Sequence, residues 1–331
     1  MRTDHHATTS TGGRRIVLTA LLAGLLGGTA LGAAAAEEAW KPTRPITIVV
    51  PFPPGGGSDV LVRSVAPALS ARLGQPIVIE NKTGASGAIG SDFVYRAAPD
   101  GYTLLVASLD AQSMAPHLQK VAFDATRFTL VGGMASMGYA LMGRPDLPAQ
   151  TLPELVSLMK RQELTYGSGG AGSSLHVFTE LFAKETGTKM LHVPFKGAGP
   201  GVLALLGGQV DVMMVPIAVA PQHREKLKVY GITPAQRVDS MKDVPTLSEQ
   251  GIDVAGASWI GVVAPPATPA AVVNTVSAAL REVIAAPQLQ PRLREIGMTP
   301  ITLSQAQFAR FYADEYRRWG DVIKAANIRV E

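Results

Sequence analysis

The 331-residue chain contains no cysteine. Disulfides, thiolate metal sites, a thiol nucleophile and a cysteine-linked lipid anchor are therefore excluded. Charge is scarce at 17% of residues, and aromatics make up only 6%. The formal net charge is +4, with the basic residues scattered rather than clustered among aromatics. That pattern argues against a nucleic-acid partner. No G-x-x-x-x-G-K-[ST] occurs, Gly55-Gly56-Gly57 does not extend to G-x-G-x-x-G, and no G-x-S-x-G nucleophile elbow is present. Neither glycine-rich loop is read as a phosphate-cofactor signature, and nucleotide hydrolysis lacks its lysine. Past the N-terminal segment the histidines are His117, His176, His192 and His223, none paired at metal-ligand spacing. No metal and no cofactor are expected.

Long apolar runs are equally rare. The one present, Ile16 to Ala36, follows Arg14-Arg15, ends in Ala34-Ala35-Ala36 and gives way to Glu37-Glu38. This order of charged, apolar and small residues reads as an export signal over residues 1–36, cleaved after Ala36. A retained membrane anchor is the alternative, since about 20 apolar residues can span a bilayer. The arginine pair suits the folded-protein route, but Ile16-Val17-Leu18 fits it loosely, so Sec and Tat export both stay open. The expected destination is the periplasm. No second stretch reaches spanning length, so the mature chain is expected to be soluble and large enough for one or two domains.

What remains alternates short β-rich runs with longer helical ones, the pattern of parallel sheets covered by helices. Ile46–Val50, Ile77–Glu80 and Thr103–Ser108 read as strands, separated by helices over Val60–Leu73 and Ile89–Ala97. The same order recurs with strands at Leu164–Tyr166, Met190–Val193 and Val210–Val215, and helices at Ser174–Thr186 and near Val202–Gly207. A strand at Trp259–Ala264 precedes helices over Pro269–Ala285, Leu289–Ile296 and Ser304–Ala326. The last helix carries Phe308, Phe311, Tyr312, Tyr316 and Trp319 at helical spacing, read as core packing against the first unit.

Two glycine-rich loops join strands to helices. Pro51-Phe52-Pro53-Pro54-Gly55-Gly56-Gly57-Ser58-Asp59 follows the first strand, and Gly167-Ser168-Gly169-Gly170-Ala171-Gly172-Ser173-Ser174 opens the helix of the second unit. Unbonded N–H groups at a helix start, together with the aligned peptide dipoles, favour an anion. Either loop alone could be a tight turn that binds nothing. Ligands of open α/β sheets lie beyond the strand carboxyl ends, where both loops fall. Facing each other, they would hold a carboxylate from two sides. Asp59, with Arg63 four residues on, is read as an organiser of the first loop. His176 could touch ligand or simply pack locally.

An export signal and seven further segments in order now carry a resemblance. They are Pro51-Phe52-x-Pro-Gly-Gly-x-x-Asp59, Glu80-Asn81-Lys82-x-Gly-Ala-x-Gly-x-Ile-Gly, Ala98-Pro99-Asp100-Gly101-Tyr102-Thr103-Leu104-Leu105 and Tyr166-Gly-Ser-x-Gly-x-Gly-Ser-Ser-x-His176, then His192-Val193-Pro194-Phe195-Lys196-Gly197, Leu206-Gly207-Gly208-Gln209-Val210-Asp211 and Asp243-Val244-Pro245-Thr246, all behind the export signal. From about Pro45 to the C-terminus the chain resembles the Bug family, substrate receptors of tripartite tricarboxylate transporters. The resemblance implies a type II periplasmic binding-protein fold, α/β, with two doubly wound lobes joined by crossover strands around a ligand cleft. Lobe 1 would comprise residues 37–136 with 259–331, and lobe 2 residues 137–258. It also implies a monomeric, non-enzymatic receptor that takes a small organic carboxylate and hands it to membrane permease subunits. Carried over by position, the ligand contacts of the first lobe are Phe52, Gly55, Gly56 and Asp59. Those of the second are Ser168, Gly172, Ser173, Ser174 and His176, with Phe195 and Lys196 as weaker candidates.

Two departures from the family pattern add Ser108, Asp110 and Val215 to the candidates. In Ser108-Leu109-Asp110-Ala111-Gln112-Ser113-Met114-Ala115-Pro116, Ala115 stands where relatives usually have Asn. After Gln209-Val210-Asp211, relatives often carry Met-Phe-Asp, whereas here Met213-Met214-Val215-Pro216 lacks that aspartate. That loss leans away from an amino-acid ligand toward an apolar or aromatic carboxylate, while Asp110 could bring a fresh acid into the cleft. A ligand-sensing co-receptor and a periplasmic enzyme using Asp59, Asp110 or His176 remain the rival readings.

Overall fold

The computed structural model describes residues 1–4 and 39–330, so the apolar run read as an export signal lies outside the described residues. Chain order begins with β1 (Ile46–Val50), α1 (Gly57–Leu73), β2 (Ile77–Asn81), α2 (Ala88–Tyr95) and β3 (Thr103–Ser108). A π-helical turn, Leu109–Met114, leads into the short α3 (Ala115–Leu118). Next come β4 (Thr129–Met137), β5 (Tyr139–Gly143), α4 (Leu152–Arg161), β6 (Leu164–Ser168), α5 (Ser174–Thr186), β7 (Met190–Pro194), α6 (Ala198–Leu206), β8 (Val212–Pro216) and β9 (Lys228–Ile232). The chain closes with β10 (Ser258–Ala264), α7 (Ala270–Ala285), α8 (Gln290–Glu295), β11 (Met298–Pro300) and α9 (Gln305–Ala326).

These strands form two sheets, ordered β11-β4-β10-β3-β1-β2 and β7-β6-β8-β5-β9. In the first, β1 pairs in parallel with β2 and β3. In the second, β6 pairs in parallel with β7 and β8. Each sheet then accepts one antiparallel strand beside its third parallel strand: β10 next to β3, and β5 next to β8. Both of these strands arrive from the other sheet. The chain crosses once over Gly138, between β4 and β5, and returns between β9 and β10. The molecule is therefore a pair of doubly wound α/β lobes joined by crossover strands. Strands β5, β8 and β10 are buried along their whole length, as strands covered on both faces by helices must be.

Local chemistry explains the helix limits. Ser173 accepts the N–H of His176 at the start of α5, and Ser304 forms a reciprocal capping box with Gln307 at the start of α9, each satisfying otherwise unbonded donors. The aromatic stripe on α9 divides its contacts. Trp259 of β10 meets Phe308, Phe311 and Tyr312 with ring centroids 6.1, 6.1 and 5.3 Å away, in the first lobe as expected. Trp319 instead packs on Phe178 of α5 at 5.3 Å, in the second lobe. At 22 residues the helix is roughly 33 Å long, enough to bridge both lobes.

Candidate functional site

The first loop leaves β1 at Val50 and enters α1 through Gly56, whose extended backbone (φ −73°, ψ 165°) starts the helix with no side-chain cap. Asp59, in the first turn, faces back into the loop and is 2% exposed. It accepts hydrogen bonds from the Gly55 N–H (2.9 Å), Arg63 Nε (2.9 Å) and Asn81 Nδ2 (3.0 Å). Asn81 also donates to the Phe52 carbonyl at 3.0 Å. Burial pulls the Asp59 carboxyl upward. The bonds from Arg63, Gly55 and Asn81 outweigh that and hold it below the usual carboxylate range. The residue therefore shapes the loop, and the start of α1 keeps its donors free.

The second loop is arranged differently. Ser168 pairs with His192 Nε2 at 2.6 Å and accepts the Gly170 N–H at 3.1 Å. Gly172 donates its N–H to His176 Nδ1 at 3.1 Å. The first N–H of α5, on Ser174, donates to Asp110 Oδ2 at 3.1 Å. Asp110 lies on the π-helical turn after β3, so this bond joins the two lobes. The Tyr139 hydroxyl donates to Ser174 Oγ at 2.6 Å. Ser86 Oγ donates to the Ala171 carbonyl at 2.7 Å, a second link between the lobes.

Both loops open on one cleft, about 580 Å³ including its mouth, between the strand carboxyl ends of the two sheets. Gly56, Gly57 and Ser58 face it from lobe 1, and Gly169, Ser173, Ser174 and Leu175 from lobe 2. Among the described residues that line it, none is Lys, Arg or His. Asp110 is the one carboxylic acid on its wall, among the described residues. Burial pushes this carboxyl upward, opposed by the hydrogen bonds from Ser174. Burial and the Asp110 charge together push the Tyr139 hydroxyl up, so that hydroxyl stays protonated.

Of the residues singled out from sequence, Phe52, Gly56, Ser108, Asp110, Ser173 and Ser174 line this cleft. Gly55, Asp59, Ser168 and Gly172 stand behind it as loop scaffolding, through the bonds given above. Phe195 and Lys196 border a neighbouring hollow with Gly84 and Ser86. His176 faces a separate cavity beside Glu180 and residues 326–330, its ring stacked on His192 at 4.2 Å and 3°. Val215 is fully buried within β8 opposite Ala140, and the neighbouring Pro216 reaches the cleft instead, because successive strand side chains point to opposite faces. Tyr139 and Ser258, from the two crossover strands, also line the cleft without any motif to mark them. One sequence reading needs correction. Gly167-Ser168-Gly169-Gly170-Ala171-Gly172 does spell G-x-G-x-x-G after a strand and before a helix. Yet β7 ends in Pro194 rather than an acid that could hold a ribose, and the Asp110 carboxylate already occupies the helix start.

Comparison with known proteins agrees with this geometry. The model of the tripartite tricarboxylate transporter family receptor matches residues 61–328. Protein BugT from Bordetella pertussis is 33% identical over 327 residues, covering 95% of this chain and 99% of that protein. The solved structure of the periplasmic binding protein BugD superposes with a TM-score of 0.83 at 30% identity, over 88% of this chain and 100% of that one. A structure from R. palustris, solved with adipate, gives a TM-score of 0.83 at 32% identity, over 87% and 99%.

Proposed function

Because the chain belongs to the tripartite tricarboxylate transporter receptor family, we propose that it is a periplasmic solute-binding protein that captures a small organic carboxylate and delivers it to membrane permease subunits. The observation that carries this reading is the uncapped start of α1 facing the start of α5 across one cleft. Peptide N–H groups and helix dipoles supply anion affinity there without a buried cation. The adipate in the R. palustris relative supports the ligand class. BugD, named a periplasmic binding protein, supports the compartment, as does the leader expected from sequence.

Capture works by differential affinity. A ligand that touches both lobes stabilises the closed form over the open one, and that closed form is what a permease would recognise. The rival enzymatic reading loses its candidates one by one. The Asp59 carboxylate is committed to three donors in the loop. His176 lies in a different cavity. Among the described residues, Asp110 has no basic partner on the cleft wall. Isothermal titration with mono-, di- and tricarboxylates, alongside native mass spectrometry of protein purified without refolding, tests the reading. At least one acid binds, and Gly56→Trp abolishes that binding while the circular dichroism spectrum is preserved. Failure of every acid in the panel would overturn it.

A further inference from the structure

The two helix starts are not equivalent seats. That of α1 has no side-chain cap, and Gly56, Gly57 and Ser58 border the cleft there. That of α5 already holds an anion, because the Ser174 N–H is bonded to Asp110 from the opposite lobe. The Ser173 hydroxyl takes the His176 N–H of the same turn. An incoming carboxylate therefore finds its donors at α1, and its far end meets Asp110.

Acceptors predominate around that far end. Asp110 is 9% exposed and lines the cleft, and it receives its hydrogen bonds from Ser174 and from its own N–H. The Tyr139 proton is committed to Ser174 Oγ, so its remaining lone pairs also accept. The Ser108 hydroxyl accepts the Ala111 N–H at 3.4 Å and keeps one proton of its own to donate. No Lys, Arg or His stands on the wall among the described residues to neutralise a second negative charge.

Resting on the carboxylate-receptor reading above, we infer that Asp110 is the specificity-determining residue of the cleft: it turns away dicarboxylates and selects monocarboxylates whose far end carries a hydrogen-bond donor, above all an ammonium group. Burial already disfavours the ionised Asp110, so an ammonium end that pairs with it gains, whereas a second carboxylate end disfavours that ionisation further; between groups about 4 Å apart either effect changes affinity by more than tenfold. The sequence-based lean away from amino acids rested on the missing aspartate beside Val215 and Pro216; of these, Pro216 lines the cleft and Val215 does not. Asp110 supplies from the other lobe the acid that β8 lacks.

The test is titration calorimetry on the full mature protein with acids matched in length: adipate, ε-aminocaproate and caproate, and succinate, γ-aminobutyrate and butyrate. The wild type binds the ω-amino acid more tightly than the dicarboxylate of the same length. Asp110→Asn is nearly isosteric and keeps an oxygen for the Ser174 N–H. It raises dicarboxylate affinity about tenfold or more, lowers ω-amino acid affinity by a similar factor, and leaves the simple monocarboxylate within about threefold. Asp110→Ala moves the ratio the same way, so a folding defect in one variant does not remove the test. A wild type that prefers the dicarboxylates, or a ratio unmoved by both substitutions, overturns the inference while leaving the receptor function intact. Failure of every acid with every variant overturns the receptor reading, and the inference falls with it.

Discussion

His176 and His192 stack face to face at 4.2 Å, with Tyr166 4.8 Å beyond His192. The hydroxyl of that tyrosine donates to Glu180 at 2.5 Å. Burial pushes both imidazoles down to about 4, and for His192 the neighbouring His176 adds to the effect. Their ordinary value is 6.5, so between these limits the unfolded chain binds more protons than the folded one. Stability from the pair is complete above about pH 6.5 and drains away as pH falls toward 4. His176 is 5% exposed, and its share is on the order of 2 kcal/mol. The pair also holds the second glycine loop, since His176 Nδ1 accepts the Gly172 N–H and His192 bonds Ser168. Urea unfolding at about pH 7.5 and pH 5 checks this: the wild type loses stability at the lower pH, and His176→Gln loses distinctly less. An equal loss in both proteins would mean that other groups carry the acid sensitivity.

Among the elements, the crossing between β4 and β5 is the tightest joint. A Cβ on Gly138 would lie 2.3 Å from Pro234 Cγ and 3.2 Å from Ile217 Cδ1, so only glycine lets the two crossing segments lie together. Thr233 ties the same joint. It donates its N–H to the Tyr139 carbonyl at 2.9 Å, accepts the Tyr139 N–H on its hydroxyl at 3.0 Å, and donates that hydroxyl's own proton to the Gly256 carbonyl at 2.8 Å. Gly138→Val wedges the segments apart and favours the open form. The expected result is a fall of about tenfold or more in affinity for the best acid of the panel, near 1.4 kcal/mol. Small-angle scattering should also show that ligand no longer contracts the molecule.

The joint also shows which elements the chain announces in its sequence. The two βαβαβ runs were legible because each strand is a short apolar run and each helix closes on a turn signal. Strand β4 was not, because Gly132-Gly133 breaks its pattern. A Cβ on Gly133 would stand 2.3 Å from Ile301 Cγ2, so the glycine answers a tertiary neighbour that local spacing cannot reveal. Both glycine loops were legible as helix starts. Tyr139 and Ser258 were not legible as cleft residues, since their positions follow from pairing opposite Pro216 and Met137. Asp110 was visible as a departure from the family pattern, but its bond to the opposite lobe required the fold. Other family motifs turn out to be struts. Asp211 accepts hydrogen bonds from Arg144 Nε at 2.8 Å and the Thr165 N–H at 2.7 Å, and Asp100 accepts the Tyr102 N–H at 3.1 Å.

Across the whole molecule, α9 ties the lobes together. Its first half seals lobe 1 around Trp259, and Trp319, 2% exposed, meets Phe178 of lobe 2. Lys184 of α5 donates to the Ala325 carbonyl at 3.0 Å, near the end of α9. The same helix meets the segment that carries Asp110, where His117 Nε2 lies 2.9 Å from the Tyr316 carbonyl. One continuous core therefore runs from β3 through α9 to β8 and β5, and unfolding either lobe exposes part of the other. Trp319→Ala removes the largest side chain at that junction, together with its hydrogen bond to Glu315 at 3.0 Å. A buried Trp→Ala replacement costs about 3–5 kcal/mol. Because Trp319 sits where the lobes meet, that loss falls on their coupling more than on either sheet. Scanning calorimetry should give one transition for the wild type and two resolved transitions, the lower markedly shifted, for Trp319→Ala. Phe308→Ala, made inside lobe 1, should instead lower the first lobe's stability and keep a single peak, since the bridge through Trp319 and Phe178 is untouched.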